Sequence, residues 1–364
     1  MKNKMQSIWD QIEKQHGDEG LFAGNESMTT YTDVISTGSY LLDDALGIWG
    51  IPRGHVIQYA GFESSGKTFL SLTTIAEWQK KDPNNWAMFV DAEFTFDANW
   101  TKGLGVDLDR LLVYRENSGV KVFERLVGAP GAKPGSPKVK KGVLDMEIES
   151  GGTGLGLIVV DSIASMQPPQ EETSEVGKAN MALMARFLPP ELRKITPMLS
   201  ATGTTMICIN QLRMKPGVMY GNPEESPGGS TLKHACAQMV HLAKMMGKDS
   251  KIESENGEIS GLHLKARIDK NKKAPPWRTA EVAIDFSKGI INKHIEMREL
   301  GCKYGVIQRP NNKTYELDGV KYNGKDAIAE ALLDEKLQLS VFERVKEAKA
   351  NNVSATQDNI EVEE

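Results

Sequence analysis

The octapeptide Gly61-Phe62-Glu63-Ser64-Ser65-Gly66-Lys67-Thr68 constrains this chain more than any other stretch. It stands between a short apolar run, HVIQYA, and a long helical one, KTFLSLTTIAEWQKK, so a glycine-rich turn joins a strand's carboxyl end to a helix's first turn. In that setting the backbone N–H groups of the turn converge at the positive end of the helix and form a cradle for phosphate oxygens. Lys67 then reaches the β and γ phosphates, and the Thr68 hydroxyl ligates Mg²⁺. The bland alternative, a fortuitous glycine turn before a helix, does not require both flanking runs.

From residue 51 onward, WAMFVD, LLVY, LGLIVVD and TTMICIN continue the series of short apolar runs, with helical text at 67–81, 119–127 and 178–200. Strands alternating with helices imply right-handed βαβ units and a mostly parallel sheet covered on both faces. The expected fold is therefore α/β, a doubly wound core. Boundaries are expected at 1–33 for an N-terminal helical arm, 34–291 for the core, 292–349 for a small C-terminal α/β domain, and 350–364 for a disordered acidic tail. In the arm, Ile8, Trp9 and Ile12 make a narrow apolar face suited to docking on an adjacent protomer. In ISTGSYLLDDALG a helix is expected, capped by Ser36 or Thr37, with Leu41, Leu42, Ala45 and Leu46 buried. Residues 127–156, opening with VGAPGAKPGSPKVKKG, read as an exposed, mobile insertion holding a helix or strand.

At 364 residues the chain is long enough for about two domains of ~150 residues. Its net charge of −5 argues weakly against a nucleic-acid partner, but the charges are segregated. Residues 265–278 carry six basic side chains against one Asp, while four acidic and no basic residues follow Lys349. Cys208, Cys236 and Cys302 lack metal-ligand spacing and read as inert thiols in a reducing compartment. No apolar run approaches the ~18 residues of a membrane span, and the N-terminus lacks a signal peptide's apolar core, so a soluble cytoplasmic protein with no membrane partner is expected.

Three more strand ends aim polar groups at one crevice. Asp161 ends LGLIVVD, where an acid can hold the water shell of Mg²⁺; alone, it would read as a helix cap. After WAMFV comes Asp91-Ala92-Glu93, and Glu93 is the candidate carboxylate to orient or deprotonate an attacking water. After TTMICI comes Asn210-Gln211, whose amide can bond a γ-phosphate and report its presence. Downstream, residues 211–230 intersperse Arg213, Lys215, Met219 and Tyr220 among glycines, which offers cations for phosphate and an aromatic face for bases.

With GFESSGKT, DAE, LIVVDS and INQLRMKPGVMYGNPEESPGG in that order, the chain resembles the RecA family of homologous-recombination ATPases. The resemblance runs from QIEKQ through DKNKKAPPW to the C-terminal domain and spares only the 127–156 insertion. It implies a RecA-like core using ATP and Mg²⁺, a helical filament on single-stranded DNA, pairing with homologous duplex DNA, and strand exchange. Single-strand-binding and mediator proteins are implied as further partners. Gly61, Glu63, Ser64, Ser65, Gly66, Lys67, Thr68 and Phe69 correspond to the nucleotide cradle, Asp161 to the Mg²⁺-shell acid, Glu93 to the catalytic carboxylate, and Gln211 to the γ-phosphate coupler. Asp97 and Trp100 fall where the family contacts adenine, with Trp100 in place of a tyrosine; a core tryptophan is the alternative there. Lys270 and Lys272 match lysines that reach a neighbouring subunit's ATP, and Phe286 is expected to close that neighbour's adenine pocket. Two DNA loops are implied, at 173–182 with Met181 and at 211–230 with Arg213, Lys215, Met219, Tyr220, Gly228 and Gly229; Arg186 and Lys233 flank them. Phe62, Phe69, Phe94 and His234 depart from the family pattern without removing a catalytic group. A hexameric helicase or translocase of the same fold, and a non-hydrolysing ATP-regulated DNA-coating scaffold, are the competing readings.

Overall fold

The computed structural model describes residues 33–129, 140–169, 181–214, 224–225, 229–247, 250–254 and 256–361, together with Lys14. Met1–Asp33 form a unit of their own, and Ile8, Trp9 and Ile12 of the expected arm lie outside the described residues. Val34–Glu364 form the second unit.

The apolar runs become strands of a ten-stranded sheet. Its parallel part consists of β1 (Val56–Gly61), β2 (Trp86–Asp91), β3 (Leu111–Arg115), β4 (Leu155–Asp161), β5 (Thr205–Gln211) and β6 (Gln238–Lys244). These lie side by side in the order β3-β2-β4-β5-β1-β6. Antiparallel strands β7 (Lys251–Glu253), β8 (Ile259–Asn271), β9 (Thr279–Asp285) and β10 (Gly289–Ile290) extend the β6 edge. Inside β8 the alternation is plain: Leu264, Ala266 and Ile268 are buried while Lys265, Arg267 and Asp269 face out. Their basic text hid a strand of period two from the sequence reading.

Both faces of the parallel part are covered. Ile57, Tyr59, Leu157 and Val159 pack with Phe69, Leu70, Leu72 and Ile75 of α2 (Lys67–Lys81); α1 is Tyr40–Ala45. Val56, Ile158 and Val160 pack on the other face with α4 (Gly119–Val127) and α6 (Met181–Thr202). The short α3 (Ala98–Gly103) follows β2. Burying alternate residues of each strand against helices on opposite faces is what an uninterrupted apolar run demands. Among the described residues no helix is long and apolar enough to cross a membrane.

Two expectations, on the cap of α1 and on the tail, need correction. Ser36 and Thr37 do not cap α1. Ser39 does, accepting from the Leu42 amide at 3.2 Å, while Ser36 and Thr37 bind the buried Asp43 carboxylate at 2.5 and 2.7 Å. The helix or strand expected inside 127–156 is α5 (Val143–Ser150), which carries a capping contact from Gly142 to Asp145 and buries Leu144 between α4 and α6. Residues 130–139 lie outside the described residues. The C-terminal segment comprises α8 (Lys293–Lys303), the small sheet β11 (Gln308–Asn311), β12 (Thr314–Leu317) and β13 (Val320–Asn323), α9 (Lys325–Ala331) and α10 (Glu335–Glu361); α7 is Gly229–Ala235. As expected of a small C-terminal α/β domain, it has its own three-stranded sheet and apolar cluster, and Tyr40, Leu41 and Trp49 pack against that cluster within one unit. Finally, α10 continues to Glu361 through the expected disordered tail, because NNVSATQDNIE contains neither Gly nor Pro to stop it.

Buried carboxyls fasten this segment. Glu296 of α8 accepts from the Ser39 hydroxyl at 2.9 Å and the Tyr40 amide at 2.7 Å, satisfying donors at the start of α1. Burial pushes Glu296 up to about 8 and Asp43 up to about 7. A carboxyl raised on folding binds its proton more tightly in the native state. Its stabilisation is full below the unfolded value and is lost as pH rises through the folded one. The urea midpoint should therefore fall between about pH 5 and pH 8.5, and Glu296→Gln, which keeps the neutral shape, should flatten that fall. An unchanged slope in the variant would show that Glu296 is ionised in the native state.

Candidate active site

The turn between β1 and α2 is shaped by two glycines. A Cβ on Gly61 would stand 2.3 Å from the Leu242 carbonyl oxygen, and Gly66, at φ +82°, would drive one to 2.5 Å from Leu264. Neither position admits a side chain, so the backbone closes tightly around the start of α2. The Lys67 ammonium folds into that turn and donates to the Phe62 carbonyl at 2.7 Å. Burial pulls it below its usual value, opposed by the charges of Asp161, Glu93 and Glu63. The Thr68 hydroxyl donates to Asp161 at 2.7 Å. Burial pushes the Asp161 carboxyl up to about 6, with the Thr68 hydrogen bond opposing and Glu93 adding to the rise.

Because β1, β5, β4 and β2 are adjacent and parallel, their carboxyl ends bring Lys67, Gln211, Asp161 and Glu93 to one crevice. Asp91 does not compete with Glu93 for the crevice. Its buried carboxylate accepts the Thr95 and Phe96 amides at 3.0 and 3.2 Å and the Arg115 guanidinium at 3.0 Å, which pins the loop that carries Glu93. Glu93 Oε1 accepts from Gln211 at 3.0 Å, Ser162 at 2.5 Å and Ser165 at 3.2 Å. Among the described residues no group of three or more His, Cys, Asp and Glu could hold a metal ion unaided. A divalent ion here would need oxygens from a nucleotide in addition to Thr68 and Asp161.

A cleft of about 490 Å³ runs from this turn to an aromatic end. Asp97 caps α3 by accepting the Trp100 amide at 2.7 Å, and the Trp100 indole donates to the Phe286 carbonyl at 2.8 Å. Trp100 both lines the cleft and packs on the apolar core, so the two readings of it coexist. Phe286, expected at an adenine pocket, lines the cleft of its own protomer. The antiparallel extension of the sheet, unforeseen in the sequence, carries the β9 end back beside α3. Glu63, Ser64, Gly66 and Phe69 also line the cleft, while Gly61 and the buried Ser65 lie in the turn behind it.

Other candidates lie elsewhere. Lys270 and Lys272 sit outside this cleft, with their ammonium groups on backbone carbonyls at the end of α7; both donate to His234, at 3.2 and 3.1 Å. Cations there complement the negative helix end. Arg186 is exposed on α6, and Arg213 is exposed in a two-residue strand paired with Glu225. Met181 opens α6, Gly229 opens α7, and Lys233 is exposed. Lys215, Met219, Tyr220 and Gly228 lie outside the described residues, as does most of the 173–182 loop. Ser162, Ser165, Phe96 and Lys244 escaped the sequence reading. The serines at one and four residues after Asp161 were the available signal, since that spacing returns both to one side of a helical turn.

Residues 3–291 match the profile of the RecA N-terminal domain. Protein RecA of Mycoplasmopsis pulmonis (strain UAB CTIP) is 36% identical over 351 residues, 96% of this chain and 95% of its own. Protein RecA of Francisella philomiragia subsp. philomiragia and of Francisella tularensis subsp. novicida are each 35% identical over 342 residues, 93% of this chain and 87% of theirs. By a likeness that extends over almost its whole length, the chain belongs to the RecA family.

Proposed function

We propose that this chain is an ATP-dependent DNA recombinase that assembles on single-stranded DNA, pairs it with homologous duplex DNA and exchanges strands. The observation that carries the reading is the meeting of Lys67, Thr68, Asp161, Glu93 and Gln211 at adjacent strand ends, in a chain similar to proteins named RecA along nearly all its length.

The glycine-shaped turn fits a triphosphate, because its backbone comes closer than any Cβ would allow. Lys67 leaves the Phe62 carbonyl for phosphate oxygens, and the Thr68–Asp161 pair holds the metal side. Mg²⁺, when bound, neutralises charge on the β and γ phosphates. Trp100 and Phe286 flank the base, and the Asp97 carboxylate stands beside them at the start of α3. Glu93 orients the attacking water and takes its proton as the water oxygen bonds to the γ phosphorus and the bond from that phosphorus to the β,γ-bridging oxygen breaks, releasing ADP and phosphate. Gln211 gives up Glu93 for the γ-phosphate and carries that change into the segment beyond Arg213. Lys270 and Lys272 serve the ATP of an adjacent protomer, so turnover requires assembly.

Steady-state ATP hydrolysis, with and without single-stranded DNA at two salt concentrations, tests the reading. A DNA-stimulated rate whose stimulation weakens as salt rises is expected, since cations bind phosphates by displacing counterions. A rate indifferent to DNA would overturn it.

A further inference from the structure

Every hydrogen bond that reaches Glu93 among the described residues lands on one oxygen, Oε1. Only one of the three donors, Gln211, belongs to the element that has to move. The other two, Ser162 and Ser165, stand on a single 3-10 turn at the end of β4. That turn is closed by the Ser165 amide on the Ser162 carbonyl at 3.1 Å and seated by the buried Ile163.

We propose that Ser162 and Ser165 are positioning residues for Glu93: a hydroxyl pair that keeps the carboxylate aimed when Gln211 departs for the γ-phosphate. The inference rests on the recombinase reading above and deepens it. Each hydroxyl has one proton to give. Ser162 gives its proton to Glu93 at 2.5 Å, and the Ser165 hydroxyl lies 3.0 Å from Ser162 and 3.2 Å from Glu93, so it donates to one or the other. A Ser165–Ser162–Glu93 chain polarises along its length and strengthens its last bond. With Gln211 gone, a glutamate without this pair is free to turn about its side-chain bonds, and the fraction of time it faces the attacking water falls. With the pair in place, Oε1 stays tethered to a rigid turn and Oε2 stays available to the water. The three donors therefore divide the work: Gln211 responds to the nucleotide, and the serines hold what it releases.

The experiment compares the full-length protein with Ser162→Ala, Ser165→Ala and Ser165→Thr by DNA-stimulated ATP hydrolysis, and repeats both alanine changes in a Glu93→Gln background. Ser162→Ala should lower kcat about tenfold and Ser165→Ala about threefold with KM unchanged, while Ser165→Thr should restore most of the loss. If the serines act through Glu93, the same alanine changes should alter the residual Glu93→Gln rate by less than about twofold, because the group they position is already gone. A wild-type kcat in both single variants overturns the proposal, and so does an equal proportional loss in the Glu93→Gln background, which marks a merely structural role. A wild-type protein that shows no DNA-stimulated hydrolysis defeats the recombinase reading itself, and is distinguishable from either result.

Discussion

Glu93→Gln should leave nucleotide binding and assembly on single-stranded DNA intact while lowering turnover by about 10²–10⁴-fold, the range lost when a positioned general base is removed. The substitution keeps the shape of the side chain and an oxygen for the Ser162 and Ser165 hydroxyls, so the crevice should not rearrange. What it removes is the capacity to take a proton from water. Nucleotide affinity should change little, because Lys67, the backbone turn and the aromatic end of the cleft stay in place. Turnover measured beside filament images by electron microscopy checks both halves of the expectation. Equal turnover would transfer the base role away from Glu93, and loss of filaments would make it an assembly residue.

The second large effect is expected far from the chemistry. Asp44, buried at the end of α1, accepts from Lys303, Lys349 and Tyr304, each at 2.6 Å. Burial alone would raise its carboxyl, but the hydrogen bonds from Lys303, Lys349 and Tyr304 outweigh it and hold the group below its usual value. The Lys349 side chain is only 12% exposed and lies 4.2 Å from the Trp49 ring centroid. Asp44→Ala strands that ammonium without a counter-charge and should cost about 3–5 kcal/mol. Lys303 is mostly exposed and contributes little by comparison. Urea unfolding near pH 7 should show a lower midpoint with the slope unchanged. A shift below about 1 kcal/mol would mean that the Lys349 ammonium finds water on its own.

The sequence made the phosphate turn, the parallel strands and Glu93, Asp161 and Gln211 legible, since each depends on a local pattern: an apolar run, a glycine spacing, a polar residue at a run's end. The two serines near Asp161 were local too, but their spacing places them only on one side of a turn and does not say that Glu93, from another strand, meets them there. That Phe286 lines the cleft of its own protomer was hidden for another reason. Its position depends on β8 and β9 folding back antiparallel, and the charged face of β8 conceals that pairing. The capping of α1 was equally hidden, because Glu296 comes from far along the chain and the nearby serine and threonine are engaged by Asp43.

That long-range capping also bears on how the protein is made. Ser39 and Glu296 are separated by 257 residues, and Asp44 and Lys349 by 305. At roughly 5–20 residues per second of synthesis, the first pair waits about 13–50 s between the emergence of one partner and the other. Throughout that interval the first helix of the core has free amide donors and an uncovered apolar side at Tyr40, Leu41 and Trp49. The nucleotide-binding sheet can form earlier, from neighbouring strands, but α1 acquires its final partners only as the C-terminal segment leaves the ribosome. Completion of the fold therefore waits on the C-terminal segment, and until then the chain carries an apolar face that can associate wrongly.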